Sequence, residues 1–414
     1  METTIKSQPI ETIIEPTKEE VEKKLKETYE NIKKILEVYV DLEENYYPLI
    51  ACWIIGTYFH NTFNSYPYLY FNAMRGSGKT RLLRLVCRLS KGGEVMTSPT
   101  EAVLFRTTGT LGIDEFERVA NKDKASVREL LNGAYKKGTI IKRMKKNKTL
   151  KGEEQVVESF NVYRPILMAN IWGMDEVLGD RCITLILEKS SDLKKTRLIE
   201  DFEDNIFIKK IIQSLNLLSK SNEKCSLCRC SSIKNIYSMW NNYISNDYKT
   251  TLSTLSTHTT YTTLTTQTTL NFFKKVDASK IQGRNLELFL PILVTAETIS
   301  SEVLDEILKI AFEMSNKKID EERLENIDAI VYNFISQQQE GLEYYPIRNL
   351  TNMFREFTDE SGDWLNSKWF SRALKRNKLV IDSKRDSKGI KVLLDIPKAK
   401  KHVRMYNKNG DNTM

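Results

Sequence analysis

A glycine-rich segment between a strand-like run and a helix-like run constrains the fold of this chain more than any other feature. Residues 73–80 have the sequence AMRGSGKT, between the apolar run 68–72 and the run 81–90, which has helical spacing. Glycine allows successive backbone N–H groups to turn toward a phosphate, and a helix N-terminus adds the positive end of its dipole. The pattern therefore predicts a strand, a phosphate-binding loop and a helix in that order.

The side chains of this loop predict what it binds. Lys79 is placed to reach the β- and γ-phosphates of a nucleotide, and the hydroxyl of Thr80 is placed to ligate Mg²⁺. Ala73 stands where the motif usually has its first glycine, and alanine is small enough to be a tolerated variant. ATP and Mg²⁺ are thus the predicted ligands. The predicted nucleotide-binding residues of the loop are Gly76, Ser77, Gly78, Lys79, Thr80 and Arg81.

A pair of carboxylates lies about 35 residues beyond the loop, directly after the apolar run 110–113. Asp114 is placed to hold Mg²⁺ through water, alongside Thr80, and Glu115 is placed to orient and deprotonate an attacking water. A glutamate directly after the aspartate favours a hydrolase over a kinase that phosphorylates a small molecule. We therefore predict ATP hydrolysis.

The composition limits the class of protein and its partners. The net charge is +8 and the pI is about 8.9, which permits a nucleic acid or another polyanion as partner. The longest apolar stretch, residues 48–59, is too short to cross a bilayer, so it predicts a buried helix and no membrane partner. Six cysteines without a secretory signal predict reduced thiols and a cytoplasmic location.

Three of the cysteines are closely spaced: Cys225, Cys228 and Cys230. His258 is a distant fourth candidate ligand, but a structural zinc site with this spacing normally has a second close pair. Free thiols in a variable segment are the favoured interpretation, and a zinc site is the alternative.

Short strand-like and helix-like runs alternate around the phosphate loop. The candidate strands are residues 68–72, 94–97, 110–114, 163–169 and 182–187. This alternation predicts an α/β P-loop fold with a five-stranded, mostly parallel sheet and helices on both faces. The predicted divisions are a disordered tail at 1–17, a helical region at 18–66, the ATPase core at 67–190, a helical segment with the cysteine cluster at 191–249, a flexible threonine-rich insertion at 250–270, a helical lid at 271–322 and a terminal domain at 323–404.

Three polar residues near later elements are candidates for contacting the γ-phosphate. Asn170 ends the fourth strand, where P-loop ATPases with an additional central strand place such a residue; the alternative is an asparagine that starts a turn. Arg181 precedes the fifth strand and is a candidate to act in a neighbouring subunit's site; the alternative is a surface ion pair. Arg284 opens a later helix and is a candidate second sensor carried by the lid. With Glu115, Asn170 and Arg181 form the predicted catalytic set.

A basic run at residues 136–151 contains eight Lys and Arg and no acidic residue. It lies between the helix that follows the carboxylate pair and the strand that ends at Asn170, and it predicts a hairpin with its tip near Asn147. A charge run is usually a solvated face. Ring-forming ATPases, however, place a hairpin that grips the nucleic-acid backbone at this point, so we predict sequence-blind DNA contact. The candidate DNA-binding residues here are Lys142, Arg143, Lys145 and Lys146.

The segment from residue 323 onward has the spacing of three helices followed by two strand-like runs, 379–382 and 390–395. This order predicts a winged-helix domain whose third helix presents four cations on one face. These candidate DNA-binding residues are Lys368, Arg372, Lys375 and Arg376. Winged helices also mediate protein contacts, which is the alternative.

With these motifs in line, the chain resembles a family of P-loop ATPases encoded by archaeal, plasmid and viral replication modules and described as replication helicases. The resemblance implies an AAA+-like fold similar to hexameric helicases, and hence a homo-oligomer, with ATPase activity implied more strongly than unwinding. Residues 205–275 depart from the family pattern. The matching segments are 66–83 (YPYLYFNAMRGSGKTRLL), 98–106 (SPTEAVLFR), 113–116 (IDEF), 129–135 (ELLNGAY), 180–181 (DR) and 287–291 (ELFLP).

Together, the motifs and the resemblance predict a DNA-dependent ATPase that works as an oligomeric helicase or translocase in the replication of a mobile element. One rival is an ATP-switched DNA-binding regulator or loader that unwinds nothing. Another is a non-enzymatic binding module with a decayed site. The intact pairs Lys79-Thr80 and Asp114-Glu115 argue against decay.

Overall fold

The structure is a computed structural model in which two compact units are distinguished, Met1–Phe312 and Glu313–Met414. The tail at 1–17, the cysteine cluster at 225–230 and the threonine-rich residues 250–259 lie outside the described residues. The described residues are 18–97, 99–116, 125–149, 152–171, 174, 176–224, 233–240, 260–325, 327–339, 341, 343–359, 362, 365–386 and 389–407.

The first unit is built on a five-stranded sheet in which every neighbouring pair of strands is parallel. Its strands are β1 (Tyr68–Ala73), β2 (Glu94–Met96), β3 (Leu111–Ile113), β6 (Ile166–Asn170) and β7 (Cys182–Leu187). The strand order is β2-β3-β6-β1-β7, so β6 lies between the phosphate-loop strand β1 and the strand β3 that leads to the carboxylates. The predicted α/β class and five-stranded parallel sheet are confirmed.

The fourth strand begins three residues later than predicted. Residues 163–165 precede β6, where Pro165 has no N–H to donate to a ladder and only its carbonyl oxygen accepts, from Leu111 N over 3.0 Å. The Arg164 side chain is instead buried, and its guanidinium donates to the Leu104 carbonyl oxygen over 2.7 Å and to Thr107 Oγ1 over 2.8 Å. This arginine fastens the loop that leads into β3.

Helices surround the sheet, and residues 233–240 are also helical. The apolar run predicted as a buried helix is α2, which is buried along its whole length, and no helix in the described part of the chain is long and apolar enough to cross a membrane. The helices are α1 (Lys18–Tyr39), α2 (Tyr46–Thr57), α3 (Lys79–Leu89), α4 (Glu101–Leu104), α5 (Ala125–Ala134), α6 (Glu176–Gly179), α7 (Leu193–Arg197), α8 (Ile206–Lys224), α9 (Thr260–Ala278), α10 (Gly283–Ile299) and α11 (Ser301–Glu325), with a short 3₁₀ turn at His60–Thr62.

Helix α9 corrects the expectation of a flexible insertion for residues 260–270. Threonine has a helix propensity only about 0.7 kcal/mol or less below that of alanine, so tertiary packing can override it. The second half of α9 supplies that packing, because Phe272 and Phe273 are buried and lie 6.4 and 5.5 Å from the ring of Trp240. A threonine tract is therefore compatible with a helix when its continuation is anchored.

The basic run forms the first strand of a two-stranded antiparallel hairpin, β4 (Ile140–Thr149) and β5 (Gly152–Asn161). Its strands pair from Ile140 opposite Asn161 to Thr149 opposite Gly152. The predicted hairpin is thus present, but β4 runs past Asn147 to Thr149, which pairs with Gly152. Asparagine is common in turns, but here Asn147 pairs in register with Glu154 and the strand continues through it.

The second unit combines helices with a three-stranded antiparallel sheet of order β8-β10-β9. Its core contains Phe334, Leu350, Phe354 and Phe370, which link three of the helices. A strand before the second helix and a helix after the last strand were not predicted. The elements in chain order are α12 (Ile327–Ser336), β8 (Tyr344–Pro346), α13 (Ile347–Thr358), α14 (Ser367–Arg376), β9 (Val380–Asp386), β10 (Gly389–Leu394) and α15 (Ile396–Asn407).

Candidate functional site

The glycine-rich loop connects β1 directly to α3. Gly76 and Gly78 have φ angles of +79° and +84°, in the left-handed region that glycine adopts without strain, and Gly78 immediately precedes α3. Ala73 is the last residue of β1 and is 4% exposed. Because Ala73 has ordinary strand conformation, the position needs a small side chain but not the backbone freedom of glycine.

The two carboxylates meet this loop at the carboxyl edge of the sheet. Thr80 Oγ1, in the first turn of α3, lies 3.4 Å from Asp114 Oδ1, one residue beyond β3. Asp114 N donates to the Met96 carbonyl oxygen over 3.1 Å, and Glu115 N donates to Asp114 Oδ1 over 3.0 Å. Because parallel strands end at the same edge, residues 34 positions apart are brought together.

A cavity of about 610 Å³ opens over the loop, and Glu115 and Ile171 contribute to its lining. Ser77 is 5% exposed, and its Oγ is buried with no hydrogen-bond partner among the described residues. A buried hydroxyl without a partner is costly unless a ligand supplies one. Ser77 therefore fits a loop whose polar groups are completed by a bound phosphate.

The wall opposite the loop comes from residues that sequence motifs did not identify. They belong to the end of α1 and to the segment around α7, two parts of the chain that no local sequence pattern links. Six of these lining residues are Tyr39, Val40, Asp41, Ser190, Lys195 and Thr196.

Asp41 organises this wall. Its Oδ2 accepts from Ser190 Oγ over 2.8 Å, and its Oδ1 lies 3.2 Å from Lys195 Nζ. The bond from Ser190, together with Lys195, lowers the pKa of the Asp41 carboxyl against the opposing effect of burial. Asp41 thus stays ionised and holds the α7 segment against the end of α1.

Arg81 also belongs to the wall. Its guanidinium donates to the carbonyl oxygens of Lys195 over 2.7 Å and of Leu198 over 2.8 Å, and it lies 3.5 Å from Glu200 Oε1. These bonds shape the cavity, and Arg81 also lines it, so the predicted nucleotide contact of this residue stays a prediction. A guanidinium with several backbone acceptors is fixed by geometry that lysine could not reproduce.

Mg²⁺ fits the donor set at this edge. Thr80 and Asp114 present a hydroxyl and a carboxylate, the oxygen ligands that this cation prefers, and Mg²⁺ typically takes one or two carboxylates together with substrate phosphates. Within the described ranges, no group of three or more His, Cys, Asp and Glu side chains could hold a metal ion.

Asn170 lies at the end of the central strand β6, opposite Asn72 of β1 in the register. It is 2% exposed, and its Oδ1 accepts from Ile171 N over 2.6 Å. The sheet therefore brings Asn170 to the same edge as the loop and the carboxylates, one residue before a residue that lines the cavity.

Arg181 and Arg284 lie away from this cavity. Arg181 precedes β7; its Nη1 donates to the Val177 carbonyl oxygen, and its Nε is buried without a partner in the described part of the chain. Arg284, at the start of α10, lies 2.9 Å from Asp180 Oδ2 and 2.8 Å from Glu287 Oε2. Neither guanidinium lines the cavity that holds Lys79 and Glu115 in the same chain.

The basic hairpin has a charge pattern that the basic run alone does not reveal. Strand β5 carries Glu153, Glu154 and Glu158, and Arg143 stands opposite Glu158 in the register. Arg143 also forms an ion pair with Glu101, and its guanidinium lies 5.7 Å from the ring centroid of Phe105. Extending the sequence window by ten residues would have revealed this acidic strand.

The remaining candidates of the hairpin stand opposite neutral residues. Lys142, Lys145 and Lys146 pair in register with Ser159, Val156 and Gln155. Lys142 is exposed. In the register of the hairpin, these lysines therefore differ from Arg143, which stands opposite a glutamate.

The predicted basic face of the second unit lies on α14. Lys368, Arg372, Lys375 and Arg376 are all exposed, while the opposite side of the helix is buried. Asn366 caps the helix by accepting from the backbone N–H groups of residues 368 and 369. Arg376 is already paired, because its Nε lies 3.1 Å from Asp328 Oδ2.

No protein-family model and no curated protein sequence matches the chain. Among solved structures, the apo C-terminal region of NrS-1 is 12% identical with a TM-score of 0.34, over 88% of this chain and 74% of that chain. The JCV helicase bound to an acetamide compound is 15% identical with a TM-score of 0.25, over 53% of this chain and 73% of that chain. At these values neither similarity establishes a shared function.

Proposed function

We propose that this protein is an ATPase whose hydrolysis is coupled to DNA binding or translocation, as in a replicative helicase of a mobile element. One observation carries the proposal: Thr80 Oγ1 lies 3.4 Å from Asp114 Oδ1 beside a glycine-rich loop at the carboxyl edge of a parallel sheet. A phosphate-binding helix N-terminus next to a metal-binding carboxylate suits a nucleoside triphosphate with its cation.

Each residue of the site has a role in this proposal. Lys79 and the backbone of Gly76 and Gly78 bind the phosphates. Thr80 and Asp114 would hold Mg²⁺, which would supply positive charge to the phosphate oxygens. Glu115 accepts a proton from the attacking water, and Asn170 orients that water or the γ-phosphate. Glu115 lines the cavity together with Lys79, which supports its assignment as the base.

Arg181 acts in the site of a neighbouring copy of the chain. Its position outside the cavity of its own chain supports this assignment, since an arginine supplied by a partner stabilises the charge of the transferring phosphoryl group. The protein is therefore a homo-oligomer in this proposal, and a hexameric ring is the arrangement we expect.

DNA contacts the protein through two surfaces. The lysines of β4 bind the phosphate backbone without regard to sequence. The second unit is a winged helix, with α14 as its recognition helix. Its chain order supports this assignment: one helix, one strand, two helices and two strands. The exposed basic face of α14 also supports it.

A second candidate function is an ATP-switched DNA-binding regulator or loader that does not unwind DNA. The glutamates of β5 favour this alternative, because they offset part of the charge that a translocating hairpin needs. In that case α14 is the main DNA contact and hydrolysis resets binding.

The test is the ATPase rate of the full chain with no DNA, with single-stranded DNA and with duplex DNA, beside a strand-displacement assay. Stimulation by single-stranded DNA with displacement supports the helicase. Hydrolysis without displacement supports the switch. Absence of hydrolysis under all three conditions, with nucleotide binding retained, contradicts both.

A further inference from the structure

An ion-pair network joins the turn that carries Arg181 to the root of the basic hairpin. Arg284 Nε lies 3.1 Å from the Asp180 carbonyl oxygen and 2.9 Å from Asp180 Oδ2. Arg284 Nη1 lies 2.8 Å from Glu287 Oε2, and Lys136 Nζ lies 3.4 Å from Glu287 Oε1. Arg284 therefore holds Asp180 with one part of its guanidinium and Glu287 with another.

The guanidinium of Arg284 is itself held in place by an aromatic ring. Its central carbon lies 4.5 Å from the ring centroid of Tyr135, an arrangement that favours a cation. Tyr135 is fully buried and packs edge-on against Tyr68 of β1, with ring centroids 5.7 Å apart. Arg284 is thus anchored to the phosphate-loop strand through two rings.

Arg284 and Glu287, which form the central ion pair of the network, both stay charged. Burial opposes ionisation of Glu287, but Arg284 and Lys136 together lower its pKa below the usual value. Burial likewise works against the charge of Arg284, while Tyr135, Glu287 and Asp180 raise its pKa. The charged forms of Arg284 and Glu287 therefore stabilise each other, which favours the ion pair between them.

The main chain around Arg181 is held by hydrogen bonds on both sides. Arg181 N donates to the Leu178 carbonyl oxygen over 3.0 Å, and its own carbonyl accepts from Tyr68 N over 3.0 Å. The residue before it, Asp180, is held by Arg284 through both its main chain and its carboxylate. A displacement of about 1 Å at a catalytic group can cost on the order of 10²-fold in rate, so this turn needs firm support.

We propose that Arg284 is a positioning residue that fixes the turn from which Arg181 acts, and that Glu287 and Lys136 connect this turn to the basic hairpin. The inference rests on the proposed role of Arg181. Arg284 then does not contact phosphate in the cavity of its own chain. DNA that displaces the hairpin shifts Lys136 and Glu287, and thereby the Arg181 turn, so that hydrolysis responds to DNA.

The test measures kcat and the Kd for ATP in the oligomeric protein for Arg181→Ala, Arg284→Ala, Arg284→Lys and the double alanine variant. Arg284→Ala should lower kcat on the order of 10²-fold while the Kd for ATP stays within about twofold. Arg284→Lys should recover part of the loss. Adding Arg284→Ala to Arg181→Ala should cost nothing further, because both act through one group.

A matched control removes another ion pair of the same unit. Lys275 Nζ lies 2.6 Å from Asp305 Oδ1, and Lys275→Ala should leave kcat at the parent value. If Arg284→Ala does not fold, as judged by thermal unfolding, Glu287→Gln takes its place. Glu287→Gln should also reduce stimulation by single-stranded DNA while the salt dependence of DNA binding is kept, because no cation of the hairpin is removed.

Different outcomes separate failure of this inference from failure of the proposed function. A raised Kd for ATP with normal kcat in Arg284→Ala would make Arg284 a phosphate sensor. Additive losses in the double variant would mean that Arg284 acts independently of Arg181. Parent-like hydrolysis by Arg181→Ala would instead overturn the role proposed for Arg181 itself, whatever Arg284 does.

Discussion

The phosphate-loop site and the basic hairpin are both marked by the sequence, but they arrange charge in opposite ways. At the loop, the carboxyl edge of the sheet brings Thr80 within 3.4 Å of Asp114, and Glu115 faces the same cavity as Lys79. Along the hairpin, the cations of β4 are spread over ten paired positions, and the neighbouring strand β5 carries three glutamates.

This difference shows what a motif and a charge run can each establish. A motif whose residues converge on one point defines a site, because its geometry admits few other uses. A charge run defines only a surface, and its net effect depends on what the next strand carries. Predictions about the loop are therefore large and specific, whereas those about the hairpin are graded.

The largest effect is expected at the loop. Lys79→Ala should abolish ATP binding or turnover, because the cation that contacts the phosphates is lost. Glu115→Gln should bind ATP and slow hydrolysis by roughly 10²- to 10⁴-fold, since only the proton acceptor is removed. Nucleotide titration and ATPase rates distinguish the two variants. The control is Lys234→Ala, at an exposed lysine outside the site. Hydrolysis by Glu115→Gln at the parent rate would show that another residue activates water.

A somewhat smaller effect is expected for the residue proposed to act between subunits. Arg181→Ala should reduce kcat by about 10³-fold with nearly unchanged ATP affinity. Mixing this variant with Glu115→Gln should restore some hydrolysis, because mixed oligomers can form one intact composite site. The ATPase rate as a function of mixing ratio is the measurement. No recovery at any ratio would count against action in a neighbouring subunit.

An intermediate effect separates the two basic surfaces. Replacing Lys142, Lys145 and Lys146 with alanine should flatten the log–log salt dependence of DNA binding by about 2 to 3 and remove stimulation by single-stranded DNA.

The matched variant removes three cations of α14. Lys368→Ala, Arg372→Ala and Lys375→Ala together should weaken duplex binding but leave stimulation by saturating single-stranded DNA in place. Salt titrations of affinity beside stimulated rates compare the two variants. A hairpin variant that behaves like the parent in both assays would leave the ATP-switched regulator as the better account.

The smallest effects are expected where a cation already has a carboxylate. Arg143 pairs with Glu101, and Arg376 pairs with Asp328. A full phosphate contact contributes about 0.7 to 0.9 to the log–log slope of DNA affinity against salt. Either single alanine variant should change that slope by less. These pairs are solvent-exposed, so their loss should cost stability only about 0 to 1 kcal/mol. A full slope change in either variant would show that the pair opens to bind DNA.

Much of the first unit could be predicted because its signals are local. The five strands follow from short apolar runs between helical runs, and the buried faces of α1 and α3 follow from their spacing. The hairpin also follows from its sequence, but β4 continues to Thr149 because no residue near Asn147 forces a turn. The helix over residues 260–270 was missed because its stability comes from packing and not from threonine.

The second wall of the cavity could not be predicted from any motif. Asp41 meets Ser190 and Lys195 across about 150 residues of sequence, and no pattern within either segment indicates its partner. Arg284 is a second example. Its position at a helix start suggested a phosphate sensor, whereas the fold pairs its guanidinium with the carboxylates of Asp180 and Glu287.

By itself, the sequence determined the phosphate loop, the carboxylate pair and the alternation that makes a parallel sheet, because backbone conformation and side-chain periodicity are set by neighbours in the chain. Only the tertiary structure decided that Arg81 bonds to the segment around Lys195, that Glu158 stands opposite Arg143 in the hairpin, and that Arg284 holds Asp180. Each of these depends on which distant groups packing brings within a few ångströms, and electrostatic and hydrogen-bond energies fall off over that same distance.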